Sequence, residues 1–171
     1  MMHSSRSSPL RLARPAAGAW ATTARMSSPR LRRAPFAELT PFEVYELCRL
    51  RVDVFVVEQE CPYPELDGRD VEPATQHVWF EEDGAVLATI RVLDDGATRA
   101  IGRVATAAGA RGQGLAARLM EEGIAMCAGL PITLGAQAHL EGWYGRFGFR
   151  RSGPGYVEDG IPHVPMRREP S

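Results

Sequence analysis

The residues best suited to chemistry in this sequence form a short glycine-rich segment, RGQGLA, at positions 111–116. It follows a strand-like stretch at 101–106 and opens a stretch with helical periodicity that runs from 115 to 127. The first N–H groups of a helix have no intrahelical acceptor, and glycines allow a ligand to approach them closely. With the helix dipole behind these donors and Arg111 beside them, the segment predicts a site for a phosphate or pyrophosphate.

The spacing excludes two common phosphate-binding motifs. A G-x-x-x-x-G-K-[ST] loop requires a lysine, and this chain contains no lysine. The glycines also do not follow the G-x-G-x-x-G spacing of dinucleotide-binding folds. Since glycine-rich helix starts also occur as plain turns, the segment by itself indicates an anion site without identifying its ligand.

The elements that must position this segment are short strands and one helix. Apolar stretches separated by the turns Asp83-Gly84 and Asp94-Asp95-Gly96 predict three antiparallel strands that lead into the glycine segment. A buried strand at 132–136 follows the helix. It must lie parallel to the strand before the helix if the connection is a right-handed crossover.

Further elements lie on either side of this unit. Residues 36–39 predict a first edge strand, and Thr40-Pro41 predicts the N-cap and first residue of an amphipathic helix that reaches position 54. A short helix at 139–147 and two strands after 149 complete the chain. The prediction is an α+β fold in which helices flank a central mixed, mostly antiparallel sheet.

Composition divides the chain into an extension and one domain. Residues 1–37 hold seven arginines and no acid, which leaves 13 arginines against 21 acids in the remainder. Residues 1–35 are rich in Arg, Ser, Ala and Pro, so we expect disorder there and a single domain at 36–168. The extension resembles an organelle transit peptide, and an upstream translation start, with the protein beginning near Met26, is the simpler alternative.

Two sequence patterns resemble the signatures of the GNAT N-acetyltransferases. Residues 111–116 match the pattern [QR]-x-x-G-x-[GA], whose backbone amides hold the pyrophosphate of acetyl-CoA in that family. Residues 143–149, WYGRFGF, resemble the second signature, an aromatic pair followed by G-F. The resemblance implies the GNAT fold and acetyl-CoA as co-substrate. The coenzyme contacts that it implies are Val104, Ala105, Thr106, Arg111, Gly112, Gln113, Gly114, Leu115, Ala116 and Tyr144.

The resemblance narrows to the ElaA-type subfamily. It rests on FVVEQ at 55–59, CPY at 61–63, GAQAHL at 135–140 and EDGIPH at 158–163. Over residues 36–168 it implies an amine acceptor, a small molecule or a peptide, without identifying it. One departure is that Gly102-Arg103-Val104-Ala105 stands where many GNAT enzymes carry a glutamate base.

Acetyl transfer to an amine requires two proton movements. The attacking amine, with a pKa near ~10.4, must lose a proton, and the departing thiolate must gain one. Tyr144 lies where the family places its general acid, and a phenol with a pKa near ~10 is protonated at neutral pH. The alternative is that the aromatic residues of this segment only fill the core: Trp143, Tyr144, Phe147 and Phe149.

Four residues are candidates for the base: Glu58, His77, His139 and His163. We rank Glu58 and His163 first, because both belong to segments expected to border the acceptor, and imidazole titrates near working pH. Glu58 is equally able to bind an acceptor ammonium, and a chain of water molecules is a further alternative. Cys61 is disfavoured as a nucleophile, because attack of an amine on a thioester needs no covalent enzyme intermediate.

Two other functions compete with N-acetyltransferase. The spacing of Arg51, Phe55 and Glu58 resembles that of acyl-homoserine-lactone synthases, although the complete pyrophosphate loop argues against them. A non-catalytic acyl-CoA-binding module would keep the loop and lack turnover. A group of acids in a predicted loop comprises Glu65, Asp67, Asp70 and Glu72. Such acids mildly favour a cationic acceptor, although they are usually solvated surface.

Expectations about cofactors and partners come from the cysteines and the charge. Cys48, Cys61 and Cys127 form no C-x-x-C pair, so we expect no disulfide, no metal and a reduced, cytoplasmic location. No apolar run approaches the roughly 20 residues of a membrane span, so no membrane partner is expected. The acidic body would repel nucleic acid. We expect a monomer or a homodimer.

Overall fold

The structure, a computed structural model, describes residues 28–127 and 129–170. The strands are β1 (Arg30–Pro35), β2 (Gln76–Glu82), β3 (Ala85–Asp94), β4 (Arg99–Thr106), β5 (Ile132–Gln137), β6 (Arg150–Arg151), β7 (Tyr156–Glu158) and β8 (Ile161–Arg168). The α-helices are α1 (Pro41–Val52), α2 (Leu115–Met126) and α3 (Glu141–Gly145). Short 3-10 or π-helical segments lie at Phe36–Glu38, Asp53–Glu58, Arg69–Val71, Ala108–Ala110 and Ala138–Leu140. Within these described ranges, no helix combines the length and the apolar character needed to cross a membrane.

The eight strands form one open, mixed sheet in the order β1-β2-β3-β4-β5-β8-β6, with β7 paired to β8. Paired strands are antiparallel except β4 and β5, which are parallel and are connected through α2. Helix α2 packs on one face through residues such as Leu119 and Met120, and α1 packs on the other through Leu47 and Leu50. The predicted α+β class, with helices flanking a mixed and mostly antiparallel sheet, is confirmed.

The two long helices begin in different ways. At α1, the Thr40 hydroxyl accepts a hydrogen bond from Glu43 N–H at 3.2 Å, and the Glu43 carboxylate accepts one from Thr40 N–H at 2.8 Å. Thr40 as the N-cap and Pro41 at the first helical position are as the sequence predicted, and the bond back from Glu43 completes a capping box. Helix α2 begins after Gly114, whose φ of 74° is left-handed, and no side chain caps its first N–H groups. The start of α1 is therefore closed by its own residues, whereas the start of α2 is left open to a ligand.

The first edge strand lies earlier than predicted. Phe36–Glu38 is a 3-10 turn, and the strand is β1, which pairs with β2 along its whole length. The Arg32 guanidinium contacts Glu43 and Glu81 at 3.0 Å each and lies over the Trp79 ring. The charges of an edge strand resist pairing with other chains. Because β1 also has little alternation of apolar and polar residues, its sequence is similar to that of a disordered tail. Residues 30–35 of the expected extension thus belong to the sheet, and the expected disorder of 1–27 lies outside the described residues.

A β-bulge in β4 changes the face that its side chains occupy. Between Thr89 and Arg91 of β3 the pairing shifts, and Arg103 takes a left-handed φ of 53°. Ile101 consequently belongs to the core under α2, whereas Ala105 belongs to the core under α1. The bulge thus turns the end of β4 toward α1 and places Arg103 at the point where the strand bends.

Candidate active site

A cleft of about 1610 Å³ opens where β4 and β5 separate. The two strands pair at Arg99 with Ile132 and at Ala100 with Thr133, and then diverge. Past these pairs, both strands line the cleft together with the π-helical segment after α1, the start of α2, and α3. Backbone N–H and C=O groups on the facing edges of diverging strands are available to an extended ligand.

The glycine segment forms the wall of the cleft at the start of α2. Gly112 and Gly114 have φ values of 77° and 74°, which side-chain-bearing residues rarely adopt, and the position of a Cβ at each is open space. The N–H groups of Leu115 and Ala116 lie in the first turn of α2 and have no acceptor within the helix. No side chain caps this helix start either. The segment therefore offers both the donors and the room that a pyrophosphate needs.

The structure brings almost all of the predicted site residues to this cleft. The lining includes Glu58, Val104, Ala105, Thr106, Arg111, Gly112, Gly114, Leu115, Ala116, Tyr144 and His163. Gln113 is outside the lining, and its side-chain amide turns back to the Gly109 carbonyl at 3.5 Å. Gly135 and Tyr156 also line the cleft, although no sequence pattern indicated a role for either residue.

Arg111 and Glu58 form an ion pair at 2.6 Å between the glycine segment and the end of the π-helical segment. Arg111 also donates to the Thr106 carbonyl at 3.2 Å. The hydrogen bond from Arg111 lowers the pKa of Glu58, so this carboxylate stays ionised and is a weaker proton acceptor. Glu58 therefore neutralises the arginine that was expected beside the pyrophosphate.

Tyr144 is a largely buried residue that lines the cleft. The predicted helix at 139–147 is divided into the 3-10 turn Ala138–Leu140 and α3, which carries Tyr144. Its side chain is 6% exposed and packs edge-on against Trp143 and Phe149. Within the described part of the chain its hydroxyl has no hydrogen-bond partner. Burial raises the pKa of Tyr144 to about 12, so the phenol remains a hydrogen donor far above neutral pH.

His163 carries an imidazole whose proton position is fixed by a neighbour. Its Nδ1 lies 2.8 Å from the Ile161 carbonyl oxygen, which can only accept, so Nδ1 carries a hydrogen in either charge state. In the neutral ring Nε2 is therefore the acceptor nitrogen. The ring lines the cleft and stacks against Tyr156, with centroids 5.6 Å apart.

The remaining candidates have other environments. His77 is buried with its Nε2 3.1 Å from the Asp70 carbonyl, and burial lowers its pKa, so it serves the core outside the cleft lining. His139 borders the cleft from the turn before α3. The Cys61 thiol is 3.2 Å from the Asp159 carbonyl and so connects its loop to the β7–β8 turn. Across residues 28–127 and 129–170, no group of three or more His, Cys, Asp or Glu side chains could hold a metal ion.

A closed ring of six charged residues, the charge ring, supports the cleft beside β3 and β4. Its members alternate in sign around the ring in the order Arg51, Glu65, Arg103, Asp67, Arg91 and Asp70. Each carboxylate contacts two guanidinium groups and each guanidinium contacts two carboxylates, at 2.5 to 3.2 Å. Arg51 and Glu65 are 2% exposed at their side chains, whereas Arg103 and Asp67 are 23% and 29% exposed, so one side of the ring is buried and the other reaches the surface.

The charge ring corrects the interpretation of the loop acids as solvated surface. Burial alone would raise the pKa of Asp67 and of Asp70, but the adjoining arginines hold both below the usual range. Glu72 lies outside the ring and pairs with Arg69 at 2.8 Å. Because the ring balances three positive with three negative charges, its acids are not free to bind a cationic acceptor.

The chain matches known proteins along most of its described length. The model of the family described as Acetyltransferase (GNAT) domain matches residues 45–170. A UPF0039 protein of Mycobacterium tuberculosis is 47% identical over 143 residues, which cover 81% of this chain and 92% of that protein.

Two crystal structures are similar throughout this region. An acyl-CoA N-acyltransferase from Pseudomonas aeruginosa has a TM-score of 0.79 and 44% identity, covering 82% of this chain and 99% of that one. The ElaA protein of Escherichia coli has a TM-score of 0.78 and 36% identity, covering 83% of this chain and 100% of that one.

Proposed function

The chain belongs to the GNAT acetyltransferase family, and on this premise we propose that it transfers an acetyl group from acetyl-CoA to a primary amine by direct attack in a ternary complex. The similarity to ElaA confirms the resemblance to that subfamily. The observation that carries the proposal is that one cleft combines an uncapped helix start, an unpartnered Tyr144 hydroxyl and the His163 imidazole. These groups suit donor binding, protonation of sulfur and deprotonation of the amine.

Acetyl-CoA is the donor substrate in this proposal. Its pyrophosphate would bind the N–H groups at the start of α2, where the open positions at Gly112 and Gly114 allow close approach. Arg111 would supply the counter-charge. The extended arm of the coenzyme would follow the free edge of β4 at 104–106, which lines the cleft.

Tyr144 is the proposed general acid. Its hydroxyl belongs to the cleft, is protonated at neutral pH and makes no competing hydrogen bond in the described residues. The hydroxyl oxygen is not among the described side-chain atoms that are fully buried without a partner, so it is open to the cleft and can donate a hydrogen bond there. Because no protein group within the described residues competes for this hydroxyl, it is available to the departing sulfur.

We assign the base to His163 rather than to Glu58. The carboxylate of Glu58 is engaged by Arg111, and its lowered pKa makes it a poor proton acceptor. His163 has its Nδ1 hydrogen directed to Ile161, which leaves the Nε2 lone pair for the acceptor amine. Glu58 then has the separate role of partly neutralising Arg111 beside the proposed pyrophosphate site.

The proposed reaction balances its protons. The amine nitrogen bonds to the thioester carbonyl carbon as the carbon–sulfur bond breaks and its electron pair passes to sulfur. The amine proton passes to His163 Nε2, directly or through a water, while Tyr144 donates a hydrogen bond and then its proton to sulfur. Solvent then carries a proton from the imidazolium to the phenolate, which restores both groups.

The two alternative functions have less support. The spacing of Arg51, Phe55 and Glu58 suggested an acyl-homoserine-lactone synthase, but Arg51 is buried in the charge ring, so packing accounts for its position. A non-catalytic acyl-CoA-binding module would have no use for an unpartnered tyrosine hydroxyl. The acceptor remains a small molecule or a peptide amine in our proposal, and the free thiols of Cys48, Cys61 and Cys127 support a cytoplasmic location.

Release of free coenzyme A thiol, measured with acetyl-CoA and a panel of amines, tests the proposed function. We expect release that depends on the amine, and a loss of about 10²-fold in turnover for His163→Asn with unchanged acetyl-CoA affinity. Asparagine is the suitable replacement, because its amide can still donate to the Ile161 carbonyl but cannot act as a base. Thermal stabilisation by acetyl-CoA without thiol release for any amine would instead identify a binding module.

A further inference from the structure

Tyr156 is a residue of the cleft to which the proposed reaction assigns no role. It lies in β7 directly opposite His163 of β8, and His163 lies opposite Gln137 of β5. Directly opposed residues of antiparallel strands project on the same face, so these three side chains form a row across the sheet. The Tyr156 ring stacks on the imidazole at an interplanar angle of 25°.

Gly135 leaves the space that the end of this tyrosine occupies. A Cβ at position 135 would lie 2.4 Å from the Tyr156 hydroxyl oxygen and 3.7 Å from Cζ of the ring. Gly135 precedes Gln137 by two residues and so shares its face of β5, which means that the tyrosine reaches across β8. The backbone of Gly135 is not left-handed, so the contact with Tyr156, rather than conformation, excludes a side chain there.

The imidazole is therefore held on two sides. The Ile161 carbonyl fixes its edge through Nδ1, and the Tyr156 ring covers one face. Rotation about the bond that joins a histidine ring to its Cβ has broad energy wells, so an imidazole without such contacts samples many orientations. Tyr156 is itself 41% exposed, so its ring adds little to the core and its packing is directed at His163.

We propose that Tyr156 is a positioning residue that holds the His163 imidazole with Nε2 toward the acceptor. The lack of a side chain at Gly135 leaves the space that the Tyr156 hydroxyl needs for this position. The proposal rests on the assignment of His163 as the base. Displacement of a reacting group by about 1 Å lowers a rate by up to about 10²-fold. Removal of the Tyr156 ring should therefore lower kcat by about tenfold to a hundredfold and leave the KM for acetyl-CoA unchanged.

The first experiment compares two replacements of Tyr156. Tyr156→Leu removes the stacked ring and should lower kcat as stated, whereas Tyr156→Phe keeps the ring and should restore most of the turnover. Val157→Ala is the control, because Val157 is adjacent in β7, 71% exposed and outside the cleft lining. Equal turnover for the Leu and Phe variants would overturn the proposal.

The second experiment uses the contact with Gly135. Gly135→Ala should displace the tyrosine and lower kcat, because the new methyl group collides with the hydroxyl oxygen. Adding Tyr156→Phe should recover the turnover, because it removes the colliding atom while the nearest ring carbon lies at an ordinary contact distance of 3.7 Å. If Gly135→Ala turned over at the parent rate, or if the double variant did not recover turnover, the proposed role of Gly135 would be wrong.

The third experiment separates this proposal from the proposed base. If Tyr156 acts through His163, Tyr156→Leu should cause no further loss of kcat in the His163→Asn background. If the two substitutions lowered kcat additively, the positioning role would be rejected and His163 would remain the base. The same conclusion would follow if His163→Asn lowered kcat and Tyr156→Leu did not. Parent turnover in His163→Asn would reject the base itself, and the positioning role with it.

Discussion

The two halves of the cleft are built in different ways. One half, formed by the glycine segment and the start of α2, is where we propose that acetyl-CoA binds; this donor half presents backbone N–H groups from one contiguous stretch of chain. The other half, where we propose that the acceptor binds and which we call the acceptor half, contains His163, Tyr156 and Gly135, is supported by the charge ring, and uses side chains from distant stretches. The donor half is thus specified locally, whereas the acceptor half exists only after the sheet has assembled.

This difference indicates how one fold can keep a coenzyme and change its acceptor. Backbone donors are not altered by most substitutions, provided that left-handed positions remain glycine. The acceptor half depends on matched pairs, such as Tyr156 with Gly135, in which a change on one strand requires a change on another. We therefore expect single substitutions to affect the two halves differently.

The largest effect should come from breaking the charge ring. Arg51→Met keeps the aliphatic stem but leaves Glu65 and Asp70 with one guanidinium each, in a site where Arg51 and Glu65 are 2% exposed. Removing one partner from a buried ion pair costs about 3–5 kcal/mol, and we expect the lower end because Arg103 still contacts Glu65. Urea unfolding monitored by circular dichroism measures the loss.

Arg69→Met is the matched control for the ring. Arg69 also contacts two carboxylates, Glu72 and Asp95, but is 37% exposed, so its loss should cost at most about 1 kcal/mol. If the two variants lost the same free energy of unfolding, burial of the charge ring would not increase its contribution to stability.

The ring also predicts how stability depends on pH. The arginines depress the folded-state pKa of Asp67 and Asp70 below the unfolded value of about 3.9. The stability that the ionised Asp67 and Asp70 contribute is therefore fully present well above the unfolded-state pKa. It is lost as the pH falls below the unfolded-state pKa toward the folded-state pKa values. The free energy of unfolding, measured from pH 6 downward, should fall more steeply for the parent than for Arg51→Met, since Asp70 has lost a partner in the variant. Parallel curves would contradict the depressed pKa values.

A second substitution tests the donor half. Gly114→Asp places a carboxylate beside the pyrophosphate site and forces a side chain into a left-handed position. Acetyl-CoA at about 100 times its Kd should stabilise the parent by about 2.7 kcal/mol, and this shift should vanish in the variant. Gly96→Asp shares the left-handed strain at a φ of 75° but lies outside the cleft lining, so it should keep the shift. A ligand-induced shift retained in folded Gly114→Asp would rule out this loop as the coenzyme site.

The smallest predicted effect concerns the ion pair between Arg111 of the donor half and Glu58. Glu58→Gln frees Arg111 for the pyrophosphate, so acetyl-CoA affinity should rise by up to about fivefold, the range expected for an exposed ion pair. Glu158→Gln is the control, because Glu158 lines the same cleft and forms no ion pair within the described residues. Calorimetric titration gives both affinities. A hundredfold loss of turnover in Glu58→Gln would instead make Glu58 the base.

The sequence predicted the donor half far better than the acceptor half, for a physical reason. A glycine turn between a strand and a helix is a local pattern, so Gly112, Gly114 and the start of α2 could be identified from neighbours in the chain. The charge ring joins Arg103 to Asp67 across 36 positions, and no periodicity indicates such a pair. Likewise, the side-chain contact between Gly135 and Tyr156 depends on strand register, which the sequence did not fix.

Edge elements show the same limit. The Thr40 N-cap was predicted because its signal, Thr40 followed by Pro41, is local. The Arg-rich β1 was placed in the extension because its partners Glu43 and Glu81 lie further along the chain. Charged residues that pair at long range leave no local signature that distinguishes them from a solvated tail.

The most direct test of the central claim, that the cleft performs acyl transfer with Tyr144 as its acid, is Tyr144→Phe. We predict unchanged acetyl-CoA affinity and a kcat lowered by about 10²-fold, the low end for a general acid, because a phenol with a pKa of about 12 is weak relative to a thiol. The melting temperature should not fall, because the hydroxyl has no partner to lose within the described residues. Turnover and melting should be measured on the same sample from pH 6 to 10. A variant that melts lower yet turns over at the parent rate throughout this range would contradict the account.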